Sequence, residues 1–217
     1  MRIKRIAIAV ALCCFGILAV SSPASAQMGM GRSLPAFGGT FNPVVGVGAD
    51  YDMTTAKGEQ MTVGMGIVGK DTINGATGYW MQMTMAGPKI KNGPMYVKLL
   101  SVKNGNQVTT ARMIMGVNGQ AFQMPDQMIK TSPTDADVAS TATAIGTETI
   151  TVPAGTFSTT HYKTKDGADI WTMNNAGPWG LVKMHASDGT TMVLTKTYTD
   201  AKDMLTGPVQ TFPGMSK

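Results

Sequence analysis

Cysteine is almost absent from this 217-residue chain, and its absence narrows both the fold and the chemistry. The two cysteines, Cys13 and Cys14, both lie within the first 26 residues. The rest of the chain therefore has no disulfide and no cysteine nucleophile. A domain without disulfides must be stabilised by its hydrophobic core, and a chain of this length is long enough to bury one.

Charged residues and histidines are also scarce, which argues against several functions. Charged residues make up 14% of the chain, and histidine occurs only at His161 and His185. Basic residues do not cluster with aromatic ones, so we do not expect a nucleic-acid partner. The chain lacks a His-Glu-x-x-His motif, a phosphate-binding glycine loop followed by lysine, and a serine nucleophile elbow. Folding can bring Glu148 and Asp169 together as a carboxylate pair, but nothing in the sequence places them side by side, so we interpret them as scattered surface carboxylates. We expect a noncatalytic protein without a cofactor.

The first 26 residues have the three parts of a secretory signal peptide. Arg2, Lys4 and Arg5 form the basic start, residues 6–20 form the apolar centre, and residues 24–26 form a small-residue cleavage site. We therefore predict an exported protein, periplasmic or secreted, that retains no transmembrane segment after cleavage. Removal of the signal also removes three of the eighteen basic residues, which leaves fifteen against thirteen acidic ones and lowers the formal net charge from +5 to +2.

The remaining chain divides into three parts by composition. Residues 27–43 are rich in glycine and also contain methionine and proline, which predicts a flexible leader. Residues 44–205 are interpreted as a single β-rich domain, and residues 206–217 as a C-terminal tail.

Within the domain, Asn-Gly and Asp-Gly pairs recur at the spacing of β-hairpins, and the segments between them alternate apolar and polar residues. This pattern predicts a mainly β fold with a curled antiparallel sheet. The alternation stops after Pro125. One or two short helices, at 126–130 and 135–144, are therefore expected to cross over the sheet or cap it.

Methionine is unusually frequent, with nineteen residues, and recurs at alternate positions of three predicted strands. Successive side chains of a strand point to opposite faces, so these methionines are expected to share one face of the sheet. The candidate ligand-binding residues are Met61, Met65, Met81, Met83, Met85, Met113 and Met115.

Three interpretations of the methionines remain open. Methionine is flexible and polarizable, so it fills irregular space in a core. The same flexibility suits an adaptable groove for an apolar ligand. Thioethers also select Cu(I), and Met28 and Met30 lie in the predicted leader, where a metal has access. The two histidines lie on different predicted strands, which is more typical of ordinary surface or core positions than of a metal site.

Several motifs resemble a group of exported bacterial domains of unknown function. They are Val152-Pro153-Ala154-Gly155-Thr156-Phe157, His161-Tyr162, Asp169-Ile170-Trp171, Gly180-Leu181-Val182-Lys183 and the run from Gly78 to Met83. These domains look like distant relatives of the periplasmic lipoprotein carriers, in which an antiparallel sheet forms an incomplete barrel and helices cover its apolar side. The resemblance implies a periplasmic half-barrel that contacts a lipid or a lipoprotein, and it assigns no functional residue. We therefore expect noncatalytic binding of an apolar ligand at the cell envelope, with a structural envelope protein or a Cu(I)-binding protein as alternatives.

Overall fold

The computed structural model describes residues 41–104, 107–117, 119–126, 129 and 142–211. These residues form twelve β-strands. The strands are β1 (Gly48–Thr54), β2 (Gln60–Ile73), β3 (Ala76–Ala86), β4 (Met95–Asn104), β5 (Gln107–Val117), β6 (Gln120–Gln123), β7 (Ala142–Val152), β8 (Gly155–Thr164), β9 (Asp169–Thr172), β10 (Leu181–His185), β11 (Thr191–Tyr198) and β12 (Val209–Thr211). No helix in the described part of the chain is long and apolar enough to cross a membrane.

All twelve strands belong to one sheet that does not close on itself. Their order is β12-β6-β5-β4-β3-β2-β1-β11-β10-β9-β8-β7. Neighbouring strands are antiparallel except β12 and β6, which are parallel. The prediction of a mainly β protein with an antiparallel sheet is confirmed.

Contacts between strands that are not direct neighbours in the sheet show that the sheet curls. The Tyr51 hydroxyl of β1 donates to the carbonyl oxygen of Leu181 in β10 at 3.2 Å. The Ala154 amide, in the turn between β7 and β8, donates to the carbonyl oxygen of Leu194 in β11 at 3.2 Å. We call the face that carries Tyr51 the inner face and the opposite one the outer face. Apolar side chains from most of the strands meet on the inner face in one core.

Three of the predicted turns, all within the described residues, form where expected: Asn74-Gly75, Pro153-Ala154-Gly155 and Asp166-Gly167. Asn74 and Gly75 have φ of 49° and 79°, the positive pair that a two-residue hairpin turn requires. Gly155 ends the Pro-Ala-Gly turn with φ of 137°, and Gly167 lies in the Asp-Gly turn with φ of 92°. Glycine has no Cβ, so it adopts these angles without the steric cost that other residues incur.

The end of the predicted leader belongs to the folded core. Phe41 is 1% exposed, and its ring centroid lies 4.4 Å from that of Trp179. The Phe41 carbonyl oxygen accepts a hydrogen bond from Lys103 Nζ at 2.7 Å. The Asn42 backbone amide donates to the Pro178 carbonyl oxygen at 2.9 Å. The folded part of the chain therefore includes Phe41. The signal peptide and the leader up to residue 40 lie outside the described residues.

The predicted helices are only partly borne out. Asp126 and Ile129 are helical, whereas residues 127, 128 and 130 lie outside the described part of the chain. The predicted helix at 135–144 is wrong over residues 142–144, because Ala142 begins β7 and pairs with Thr164, and residues 135–141 lie outside the described part of the chain. Pairing with β8 outweighs the helix propensity of the alanines there.

The chain after β11 crosses the outer face. We call residues 199–211 the C-terminal strap. It passes over the middle strands and ends in β12, which pairs with β6 at the edge of the sheet. Residues 206–211, which we predicted to be part of a tail, thus contribute a strand, and residues 212–217 lie outside the described part.

Candidate functional site

All seven predicted methionines lie in a single cluster on the inner face. Four are buried: Met65, Met81, Met83 and Met85. The other three are half-buried and pack against that core: Met61, Met113 and Met115. The structure therefore brings together the residues that strand alternation selected.

The methionines form rows because the register places them opposite each other on neighbouring strands. One row runs across β10, β11, β1 and β2 and consists of Met184, Met192, Met53 and Met61. A second crosses β2 to β5 and consists of Met65, Met83, Val97 and Met115. A third crosses the same strands and consists of Ile67, Met81, Leu99 and Met113. Directly opposed side chains of antiparallel strands contact each other, so the rows form a continuous apolar surface.

Five further methionines of this cluster were not among the predicted candidates. Met184 and Met192 are each 1% exposed, and Met53, Met95 and Met173 are half-buried in the same cluster. In β11 the apolar run Met192-Val193-Leu194 does not alternate with polar residues, so alternation did not distinguish Met192. In β4 the apolar residues occupy both faces, so alternation did not distinguish Met95.

Polar atoms at the inner face are bonded within the protein. The Trp179 indole N–H donates to the sulfur of Met81 at 2.9 Å. The Tyr51 hydroxyl is bonded to Leu181, and burial raises the pKa of Tyr51 well above its ordinary value. Among the described residues, no buried side-chain nitrogen or oxygen lacks a hydrogen-bond partner. The inner face therefore offers a ligand mainly thioether, aliphatic and aromatic contacts.

A second group of side chains, on β7 to β9, corrects one prediction. Glu148 and Asp169, which we interpreted as separate, both contact His161. Asp169 Oδ1 lies 2.9 Å from His161 Nε2, and Glu148 Oε2 lies 3.5 Å from His161 Nδ1. The carboxylates approach different ring nitrogens and do not converge on one point. Consistently, the described residues contain no group of three or more His, Cys, Asp or Glu side chains that could hold a metal ion.

Aromatic and cationic neighbours complete this group. The His161 and Trp171 rings stack with centroids 4.5 Å apart, and Lys183 Nζ lies 4.8 Å from the Trp171 ring centroid. The Trp171 indole donates to Glu148 Oε2 at 2.7 Å. Lys163 Nζ contacts the Asp169 carboxylate at 3.0 and 3.1 Å. The hydrogen bond from Lys163, followed by that from His161, lowers the pKa of Asp169. These groups bond to one another, which favours a structural role.

The copper alternative depends on residues that the structure does not describe. Met28 and Met30 both precede Phe41 and lie outside the described residues. The two histidines are separate: His161 is bonded to Asp169, whereas His185 is an exposed residue at the end of β10. Cu(I) binding by the leader stays a prediction.

The fold and the inner face thus define a β protein built from one open, curled sheet. No family model matches the chain, and no curated protein matches it. Among solved structures, it is similar to a protein of Bacteroides fragilis NCTC 9343 described as exported with a YmcC-like fold. The identity is 13%, the match covers 73% of this chain and 98% of the other, and the TM-score is 0.37.

It is also similar to a protein of Parabacteroides distasonis ATCC 8503 described as a lipoprotein. The identity is 14%, with 73% of this chain and 97% of the other covered and a TM-score of 0.36. At these TM-scores the likeness establishes no shared function, and the resemblance to lipoprotein carriers stays a prediction.

Proposed function

We propose that the protein binds an apolar ligand noncatalytically at the cell envelope, on the inner face of its sheet. The observation that carries the proposal is the gradient of burial along the methionine rows. The rows begin with methionines that are fully buried, such as Met65 and Met192, and extend to half-buried ones at Met61, Met113 and Met115. The face is continuous with the core, yet part of it remains accessible.

The half-buried methionines supply the driving force for binding. Burial of apolar surface contributes roughly 25 cal/mol per Å², so completing the burial of one such side chain contributes on the order of 1 kcal/mol. Several such residues on one face together contribute more free energy than the immobilisation of a ligand costs, so the net binding free energy is favourable. Unbranched thioethers also adopt many rotamers, which allows the face to repack around an acyl chain. A lipid or the acyl group of a lipoprotein matches this apolar face. Such a ligand also agrees with the predicted export to the periplasm.

Binding is tested with the exported protein after delipidation. Thermal unfolding is recorded with palmitate, with phosphatidylglycerol and with a diacylated lipopeptide, each in excess. A ligand present at about 100 times its Kd stabilises the folded state by about 2.7 kcal/mol, which raises Tm by roughly 5–10 °C in a domain of this size. Native mass spectrometry of the protein before delipidation identifies the ligand that co-purifies.

Variants test whether the inner face is the site. Met113→Gln and Met115→Gln place an amide among half-buried apolar groups, so they are expected to reduce the ligand-induced rise in Tm by at least half. Met204→Gln is the matched control, because Met204 is 56% exposed on the C-terminal strap. An absent Tm shift with all three ligands, or an equal shift in all three variants, refutes the proposal.

A further inference from the structure

The C-terminal strap lies in a groove on the outer face whose floor includes two glycines, Gly66 and Gly116. A Cβ added at Gly66 would come within 2.8 Å of the Cβ of Ala201, and one added at Gly116 within 2.6 Å of Leu205 Cδ2. These glycines therefore let an extended chain approach the sheet closely. An open cavity of about 260 Å³ remains beside Ala201 and Gln82.

The side chain of Gln82 binds the backbone of the strap. The Gln82 side-chain amide donates to the Lys202 carbonyl oxygen at 3.3 Å, and Gln82 Oε1 accepts from the Met204 amide at 2.8 Å. Gln82 itself is only 5% exposed. These two bonds do not depend on the side chains at 202 and 204, so any extended peptide in the same register can make them.

Lys98 adds selectivity for an acidic residue. Its side chain is 8% exposed, and Nζ forms an ion pair with Asp203 Oδ2. Lys98 Nζ also lies 5.1 Å from the centroid of the Trp80 ring. Asp203 Oδ1 accepts a hydrogen bond from the Leu205 amide at 2.8 Å, which holds the strap in its bound conformation. A buried ammonium without an anionic partner is costly, so the groove strongly favours a carboxylate at this position.

Leu205 anchors the strap two residues further on. It is 8% exposed and packs with Ile114 and Ala121, with Trp80 and Tyr96 beside them. This cluster is separate from the core of the inner face.

The C-terminal end of the strap pairs with the edge of the sheet through its main chain, as a bound peptide strand does. Val209, Gln210 and Thr211 form β12, which pairs in parallel with β6. All three residues are exposed, so their backbone and not their side chains holds them there. Addition of a strand to a sheet edge through main-chain bonds is a recurring mode of peptide recognition.

We propose that this groove is a binding site for an extended segment of a partner protein. The segment it fits carries an acidic residue two positions before a leucine or a similar aliphatic residue. The C-terminal strap occupies the site as a tethered competitor. The groove lies on the face opposite the methionine rows, so this inference is independent of the ligand-binding proposal.

Because the strap is covalently tethered, it keeps the groove occupied. A covalently linked competitor acts at an effective concentration on the order of millimolar. A partner segment of similar intrinsic affinity therefore binds the intact chain poorly. Weakening the strap, with the groove left unchanged, is expected to raise the apparent affinity for a segment added in trans.

The experiment uses the full chain and a fluorescent peptide with the sequence of residues 199–211. The variant Asp203→Lys/Leu205→Ser removes the two anchoring side chains of the strap and retains Gln82 and Lys98. Fluorescence anisotropy is expected to show at least tenfold tighter binding of the peptide to this variant than to the unmodified chain. A peptide that carries the same two substitutions is the control and should not bind.

A charge reversal provides a further check of the same contact. The chain with Lys98→Glu should bind a peptide with lysine at the Asp203 position better than the natural sequence. If the double variant fails to fold, as judged by near-UV circular dichroism, the Asp203→Asn chain takes its place. Equal affinity of the peptide for the folded variant and for the unmodified chain overturns the proposal.

Discussion

Truncation of Met65 is the most direct test of the inner-face core. Met65 is 1% exposed and lies between Ala49 of β1 and Met83 of β3 in the cross-strand register. Met65→Ala removes Cγ, Sδ and Cε from a site enclosed on both sides. The neighbouring Ala49 has no side-chain atoms beyond Cβ with which to fill the space, so a cavity remains.

The size of the effect follows from these neighbours. Large-to-small substitutions of buried methionine destabilise by about 2–5 kcal/mol, and the cost rises with the volume of the residual cavity. Met83 is flexible and can move partly into the space, so we expect the lower half of that range, about 2–3 kcal/mol. In a domain of this length, a loss of this size lowers Tm by roughly 5–10 °C.

Urea denaturation followed by circular dichroism measures the loss directly. The control is Met204→Ala, whose side chain is 56% exposed and whose truncation is expected to change stability by less than about 0.5 kcal/mol. A loss of less than about 1 kcal/mol for Met65→Ala, or one equal to the control, refutes the reasoning. The methionine rows would then not be packed as a core.

Two further predictions concern backbone geometry and pH. Gly46 and Gly58 both have positive φ, but a Cβ at Gly46 would lie 2.6 Å from the Thr199 backbone oxygen, whereas nothing lies within 4 Å at Gly58. Gly46→Ala should therefore destabilise by at least about 1 kcal/mol more than Gly58→Ala, and equal losses in urea would contradict this. The pKa of Asp169 is lowered, so its stabilising contribution is present above its ordinary pKa of 3.8 and is lost as pH falls through the lowered value. Asp169→Asn should weaken the acid dependence of urea stability, and parallel pH profiles for the two proteins would rule this out.

Strand alternation predicted the inner face where one side of a strand is apolar and the other polar. In β2 and β3 the period of two placed Met61, Met65 and Met81 on the same face, because successive side chains of a strand alternate. Alternation was uninformative in β4, where Lys98 is buried on the outer face although lysine is usually exposed. The strap that covers Lys98 is about a hundred residues away in the sequence.

Other interpretations failed where the deciding partner lies on the neighbouring strand and not within the same segment. Ala142 was expected in a helix, but its pairing with β8 makes it part of a strand. Glu148 and Asp169 were interpreted as separate because nothing in the sequence relates them. Adjacent strands place both beside His161. In each case the deciding contact depends on strand order, which local composition does not encode.

The sequence by itself determined the antiparallel β character, the turns and the common face of the methionines in β2, β3 and β5. These features depend on neighbours within a few residues, where sterics and side-chain periodicity act directly. Only the tertiary structure decided the register that aligns methionines of different strands into rows, the burial of Phe41, and the groove that the C-terminal strap occupies. These depend on the curl and strand order of the whole sheet, which arise from packing between segments far apart in the chain.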